Sequence, residues 1–204
     1  MGEPLGVPAL IIAGTDEAGR GPLAGPVVAA AAILTAEQRG WLLSAGLRDS
    51  KKLTPKRREA LFDKICEAGI IWRAQAACAR RIDKINILQA SLWCMKRSVE
   101  QLALSPSLVL VDGNRAIPGL GLPQKPVIKG DDRVPVIAAA SIVAKVLRDR
   151  VMEVMDRIYP QYSFAKHKGY PSALHKSLIA EYGPSPIHRL SFRGVLDDDD
   201  ETFS

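Results

Sequence analysis

Cysteine is scarce in this chain. Cys66, Cys78 and Cys94 are the only three among 204 residues, and no two have C-x-x-C spacing. An odd, scattered set excludes a disulfide framework or a cysteine zinc site, and reduced thiols in a cytoplasmic protein are expected. Long apolar runs are missing too: none approaches the roughly 20 residues a membrane span needs. Met1-Gly2-Glu3-Pro4-Leu5 is not a basic stretch leading into a long apolar one, so export is not expected. There is no G-x-x-x-x-G-K-[S/T] run. Gly19-Arg20-Gly21 follows a strand-like segment, but the third glycine is Gly25, which breaks the dinucleotide-binding spacing. Pro22 and Pro26 also fit poorly with a glycine loop that opens a helix. No internal repeat or long linker is evident. Residues 1–196 therefore read as one domain, and residues 197–204 as an acidic, disordered tail.

What is present fits a soluble, folded protein with a polyanionic partner. Apolar residues make up 47% of the chain, and charges of both signs are interspersed among them. The net charge is +6, but the tail holds five acids, Asp197 to Glu201, and no Lys or Arg; without them the rest carries +11. Such a surplus suits nucleic acid, although it does not specify it.

Residues 9–15 and 26–34 are β-compatible runs around a Gly/Pro-rich turn, and an antiparallel pair is expected. Residues 36–45 and 56–68 have helical spacing, and Thr54-Pro55 supplies a cap and a first-turn proline. A third strand is expected over 70–79, a long helix over 82–104, and short strands over 108–111 and 126–128. Helices follow over 134–159, with Pro160 as its stop, and over 172–182. Strands first, then strands alternating with helices, predict an α/β fold with a mixed sheet and a helical C-terminal portion.

Three of these segments share a device: an apolar strand that ends in carboxylate, at Asp16-Glu17, at Asp112 and at Asp131-Asp132. Adjacent acids repel, and a fold that gathers them usually needs a cation. Oxygen donors favour Mg²⁺ or Mn²⁺ over zinc. Strand ends on one side of an α/β sheet are where ligands collect. Each acid alone reads equally well as a cap or turn residue, Asp112-Gly113-Asn114 above all. It is the series that points to a metal cage.

These motifs resemble those of the bacterial ribonuclease HII family, the type 2 ribonucleases H. The resemblance rests on Thr15-Asp16-Glu17-Ala18-Gly19-Arg20-Gly21-Pro22-Leu23-Ala24-Gly25, Asp49-Ser50-Lys51-Lys52-Leu53, Val111-Asp112-Gly113-Asn114 and Lys129-Gly130-Asp131. It continues through Ala139-Ala140-Ser141-Ile142-Val143-Ala144-Lys145 and His167-Lys168-Gly169-Tyr170-Pro171, in the family's order and over about residues 10–193. It implies a ribonuclease H-like mixed sheet flanked by helices with a helical C-terminal extension. It also implies an endonuclease that cuts the RNA strand of RNA–DNA hybrids and incises duplex DNA 5′ to embedded ribonucleotides, in DNA replication and repair.

By the same resemblance, Asp16, Glu17, Asp112 and Asp131 are the catalytic acids and hold two Mg²⁺ or Mn²⁺ ions. Cleavage would leave 3′-hydroxyl and 5′-phosphate ends. Asp131 occupies the motif position and Asp132 is its neighbour. Asp16 is placed to bridge both ions, and Glu17 needs a bend at the strand end to reach them, because neighbours on extended backbone point apart. Gly19, Arg20 and Gly21 read the ribose 2′-hydroxyl through the backbone, and 2′-OH is what separates RNA from DNA locally. Tyr170 stacks on the following deoxyribose; on pattern alone it would be a packed or turn residue. Lys51 and Lys52 read either as phosphate contacts or as a solvated basic face running into Lys56, Arg57 and Arg58. Ser141, Lys145 and His167 are possible supports; Lys145 reads equally as a structural ion pair. The expected state is a monomer with no membrane partner. Two alternatives remain open at this stage. A nuclease of the same fold acting on DNA junctions would not need Gly19-Arg20-Gly21 with Tyr170. A non-catalytic nucleic-acid-binding module would not need clustered acids.

Overall fold

A computed structural model describes residues 10–47 and 53–196. The segment holding Lys51 and Lys52, and the acidic tail, lie outside the described residues. The first strands are β1 (Ile12–Ala18) and β2 (Val27–Ile33), and two helices follow, α1 (Ala36–Ser44) and α2 (Pro55–Glu67). Next come β3 (Ile71–Ala77), α3 (Ala79–Ile85), α4 (Ile87–Glu100), β4 (Leu108–Asp112) and β5 (Gln124–Val127). The chain ends with α5 (Gly130–Arg133), α6 (Pro135–Ile158), a 3₁₀ turn (Pro160–Tyr162), α7 (Phe164–His167) and α8 (Ala173–Tyr182).

The five strands form one mixed sheet in the order β3-β2-β1-β4-β5. β1, β2 and β3 pair antiparallel, whereas β4 lies parallel to β1 and β5 parallel to β4. Every residue of β2 is buried. Its alternation sends Ala30 and Ala32 into a core with α1, α2 and α6, and Ala29 and Ala31 into a second core with α3 and α4. Small side chains on this strand, and Ala138, Ala139, Ala140 and Ala144 on α6, let helix and sheet approach closely. The helix starts follow local chemistry. Thr54 accepts from the Arg57 amide with Pro55 in the first turn, and Thr35 and Gln38 cap α1 reciprocally.

Four expectations need correction. The helix predicted over 82–104 is two helices, because Asn86 adopts φ +64° and its side chain caps α4 by accepting from the Gln89 amide. Asp131 does not end a strand; it lies in the first turn of α5, after Lys129 turns the chain through φ +54°. Asp16 and Glu17 do not lie beyond a bend either, since pairing between β1 and β2 runs unbroken through both acids to Ala18. Finally, the C-terminal portion is only partly helical. After α8 it runs back along the Gly/Pro-rich turn, where Gly25 N–H donates to Ile187 O and Arg189 N–H to Leu23 O, each at 2.8 Å.

Gly14 marks the closest approach of sheet and helix. A Cβ there would lie 2.5 Å from the Val136 carbonyl carbon and 2.6 Å from the Ile137 nitrogen, both backbone atoms that cannot swing aside. Gly14→Ala is expected to destabilise the protein by about 2–3 kcal/mol, a melting-temperature loss of roughly 5–10 °C. Thermal melts check this; a melting temperature equal to wild type would show that α6 is free to move outward.

Candidate active site

Parallel pairing brings the acids together. Thr15 of β1 is level with Val111 of β4, so Asp16 and Asp112, one residue further along parallel strands, share the same edge of the sheet. Alternation along β1 turns Asp16 toward α6, together with Gly14 and Ala18, and Glu17 toward the other face. Asp16 is only 4% exposed. Its carboxyl is held well above the usual range, first by burial, then by the negative charges of Glu17 and Asp112. Glu17 is raised as well, by burial and by Asp112, against the pull of Arg20, whose guanidinium lies 3.4 Å away.

Asp112 is fixed by the turn into α5. Its Oδ1 accepts from the amides of Gly130 at 2.7 Å and Asp131 at 3.2 Å. Asp131 is buried, with Lys145 Nζ 3.9 Å from its Oδ2. Lys145 and Ser141 both project from α6 toward this edge and favour the ionised form of Asp16. Ser141 Oγ is nevertheless outside hydrogen-bonding geometry, and it is one of two buried side-chain polar atoms without a partner among the described residues. Hard carboxylate oxygens that repel one another, beside an orphaned buried hydroxyl, are a donor set that suits Mg²⁺ or Mn²⁺. Among the described residues no three such side chains are already closed into a preformed ion cage.

Next to the acids is the turn Gly19–Pro26, and its conformation is set by two arginines that sequence reasoning missed. Arg189, fully buried, donates to the carbonyls of Gly19 at 2.6 Å, Arg20 at 3.0 Å and Gly25 at 3.0 Å. Arg148, 2% exposed, donates to Pro26 O at 3.1 Å, Ala24 O at 3.3 Å and Lys168 O at 2.9 Å. Burial, and then the charge of Arg148, lowers Arg189 to about 9. Gly19 has φ +94°, and a Cβ there would overlap the Arg148 side chain, so only glycine fits. Trans peptide planes place C=O and the next N–H on opposite sides. With the Gly19 and Arg20 carbonyls pinned inward, the Arg20 and Gly21 amides point outward, at two residues that are exposed.

Tyr170 faces this turn. Its ring is half-exposed, 3.9 Å from the position a Gly21 Cβ would take and under the Arg148 guanidinium at 5.7 Å. Turn and tyrosine border a cleft of about 560 Å³ whose walls carry Lys56, Arg58, Lys145, Lys166 and Lys168. Lys56 and Arg58 belong to the first turn of α2, and Arg58 pairs with Asp149 at 3.0 Å. His167 also lines the cleft, but both its ring nitrogens engage the backbone, with Tyr162 O and the Gly169 amide.

A five-stranded mixed sheet, with carboxylates gathered where β1 and β4 end, defines the class: a nuclease of the ribonuclease H fold. The Ribonuclease HII family profile matches residues 13–195, and the chain belongs to that family. It is thus a metal-dependent endonuclease acting on the RNA of RNA–DNA hybrids. The chain is similar to the ribonuclease H2 of Pyrococcus horikoshii, with 29% identity, 91% of this chain and 95% of that one covered, and a TM-score of 0.77. It is similar to the RNase HII of Archaeoglobus fulgidus, solved with PCNA, at 28% identity, 90% and 96% coverage and a TM-score of 0.76. Bst-RNase HIII, solved with Mn²⁺, shares the fold at 18% identity, 92% and 68% coverage and a TM-score of 0.74.

The raised carboxyls make a prediction about charge. A carboxyl with a raised folded pKa stabilises most below its unfolded value, near 3.8 for Asp16, and loses that contribution as pH rises through the folded value. Asp16→Asn is therefore expected to raise the melting temperature of ion-free protein by several degrees at neutral pH. The gain should vanish near pH 3, where folded and unfolded states both carry the proton. Melts in chelator at the two pH values check it. A less stable variant at neutral pH would contradict the repulsion.

Proposed function

We propose that the enzyme hydrolyses the RNA strand of RNA–DNA hybrids and incises duplex DNA 5′ to an embedded ribonucleotide, leaving 3′-hydroxyl and 5′-phosphate ends. Asp16, Glu17, Asp112 and Asp131 are the proposed catalytic acids. Two Mg²⁺ or Mn²⁺ ions held by them would supply an activated water and offset the charge developing on the phosphate. The other tasks fall to the chain itself. Asp112, tethered by the Gly130 and Asp131 amides, keeps a fixed carboxylate at the sheet edge. Lys145 holds Asp131 in the cluster. The cleft's lysines hold the backbone phosphates of the duplex; Lys51 and Lys52, outside the described residues, are proposed to join them.

One observation carries the substrate assignment: the outward amides of Arg20 and Gly21 lie two and three residues beyond the acid-bearing strand, with Gly21 beside the Tyr170 ring. Backbone amides on a rigid turn can donate to a ribose 2′-oxygen, and an aromatic face next to them fits a sugar that lacks that hydroxyl. This arrangement favours RNA–DNA junctions over branched DNA, and a pure binding module would gain nothing from buried, mutually repelling acids. The free thiols Cys66, Cys78 and Cys94 suit the cytoplasm, and no helix among the described residues is long and apolar enough to cross a membrane. We take the enzyme to act as a monomer.

Incubation with duplex DNA containing one ribonucleotide tests the proposal. A single cut 5′ to the ribonucleotide is expected with Mg²⁺ or Mn²⁺, and none with chelator. Asp16→Asn or Asp112→Asn should lower the rate at least about a hundredfold. Cyclic phosphate ends, or cutting that survives chelation, would sink the mechanism; cutting of branched DNA without ribonucleotide incision would favour the junction nuclease.

A further inference from the structure

The three histidines of the chain are scattered in sequence, at 167, 175 and 188, and meet in space. His167 stacks on His175 with ring centroids 4.2 Å apart, and His175 faces His188 with Nε2 to Nε2 at 3.0 Å. His175 and His188 are essentially inaccessible to solvent. Phe164 closes the group edge-on, and Tyr162, whose hydroxyl donates to Gly183 O, leans against His188.

The hydrogen bonds fix the proton on every ring. His175 Nδ1 is 2.9 Å from Tyr170 O, a carbonyl that only accepts, so Nδ1 carries the proton. In a neutral ring Nε2 of His175 is then bare, and the facing His188 Nε2 must be the donor. His188 Nδ1 is bare in turn and accepts from the Ser185 amide and hydroxyl, both at 2.8 Å. His167 Nε2 donates to Tyr162 O at 2.8 Å, and its bare Nδ1 accepts from the Gly169 amide at 3.1 Å. Donors and acceptors match in one direction from Ser185 to Tyr170. A second proton on any ring would set N–H against N–H or strip an amide of its acceptor.

An inert core would need none of this. Both arms of the group terminate on one dipeptide, His167 on the Gly169 amide and His175 on the Tyr170 carbonyl. The backbone there is unusual, with Lys168 at φ +51° and Gly169 at φ +81°. Local turns hold part of this stretch, with Tyr170 N–H donating to His167 O at 2.9 Å and Ser172 N–H to Tyr170 O at 2.8 Å. The histidines add bonds that reach outside the loop, and the half-exposed Tyr170 ring has the Arg148 guanidinium above it. Gly169 O accepts from Leu23 N–H at 2.8 Å, which ties the same dipeptide to the Gly19–Pro26 turn.

We propose that His167, His175 and His188 are positioning residues for junction recognition: a neutral relay with a single tautomer at each ring, which fixes the Gly169-Tyr170 backbone and so aims the Tyr170 ring beside Gly21. This rests on the reading of Tyr170 given above. Burial lowers all three histidines, His175 and His188 to about 4, so the relay is neutral at physiological pH. The charged and titratable groups around it are Asp156 and Arg148 on α6, Tyr162 on the 3₁₀ turn, Arg189 next to His188, and Lys168 and Tyr170 on the loop.

Two measurements on the full chain test it. Long-range ¹H–¹⁵N spectra at neutral pH should show His175 as the Nδ1–H tautomer and His167 and His188 as Nε2–H tautomers, all uncharged. A protonated ring, or His175 protonated at Nε2 alone, would overturn the relay whatever Tyr170 does. The second readout is the rate at a single embedded ribonucleotide divided by the rate on a uniform RNA–DNA hybrid. His175→Leu should lower this ratio about tenfold, the loss of a buried hydrogen bond. His175→Asn, whose amide can replace the Nδ1 donor, should restore most of it, and Tyr170→Ala should lower it as His175→Leu does. Equal losses on both substrates, or no rescue by Asn, would overturn the positioning role. An unchanged ratio in Tyr170→Ala would overturn the reading of Tyr170 and with it the junction role, while the tautomer pattern would still report on the relay.

Discussion

Repulsion between buried carboxylates is the constraint around which this structure is arranged. Asp16 and Asp112 are level with each other because β1 and β4 run parallel, and neither can retreat. Asp16 is fixed by pairing with Ala30 of β2, one residue past the last β1–β4 pair, and Asp112 by two amides of the α5 turn. The sheet that gathers these acids also denies water to Asp16 and shields Asp112 in part. In a low-dielectric setting that is costly unless a compensating charge arrives, and Lys145, 3.9 Å from Asp131, is a modest one. A site destabilised in this way binds a divalent ion more strongly than dispersed acids would, because the ion removes a penalty as well as making bonds. Rigidity is therefore part of the chemistry. Gly14, pressed against the backbone of Val136 and Ile137, sets how close α6 brings Ser141 and Lys145 to the acids.

The adjoining turn solves the opposite problem. Arg148 and Arg189 bury two positive charges and satisfy them with backbone carbonyls. A carbonyl is a weaker partner than a carboxylate, so six of them are recruited, and the turn is locked as a result. The free donors of the turn then point outward by peptide geometry alone. Buried charge here stabilises a conformation of the main chain, which is an expensive use of arginine unless that conformation serves a purpose.

Much of the fold was legible because it rests on local signals. The Thr54-Pro55 start of α2, the apolar β-compatible run that becomes β2 and the stop at Pro160 each depend on a few neighbouring residues. The four candidate acids were legible in the same way, as carboxylates after apolar runs. Misreadings came where a short-range signal competes with another. Asn86 sits inside a helical periodicity, but its side chain offers a cap that is better used between two helices. Asp131 follows an apolar run, yet the left-handed Lys129 has already turned the chain into a helix. Arg148, Arg189 and the pairing of His175 with His188 were invisible for a different reason, and His167 was named only through its motif. The arginines' partners are backbone atoms up to 170 residues away, which leave no trace in a sequence, and the His175–His188 contact exists only once the loop after α8 has folded back. A buried arginine on an otherwise apolar helix face, at Arg148 in α6, was the one signal available.

These contacts change what the C-terminal portion is. Read as an extension, residues 160–196 could be removed at the cost of some stability. In the structure they hold the turn: Ile187 and Leu23 exchange hydrogen bonds with Gly25 and Arg189, Ala24 pairs with His188, and Gly169 accepts from Leu23. Arg189 itself belongs to this portion. The acids, by contrast, are fixed by β1, β4, α5 and α6, all of which precede it. Two of the proposed catalytic acids, Asp16 and Glu17, lie within five residues of the proposed 2′-hydroxyl reader Gly19–Gly21. The supports nevertheless differ: α5 and Lys145 for the acid cluster, Arg189 and the histidine loop for the turn, with α6 serving both through Arg148. Perturbing the support of one need not perturb the other. That separation lets positions such as His175 alter which phosphodiester is cut without altering how it is cut.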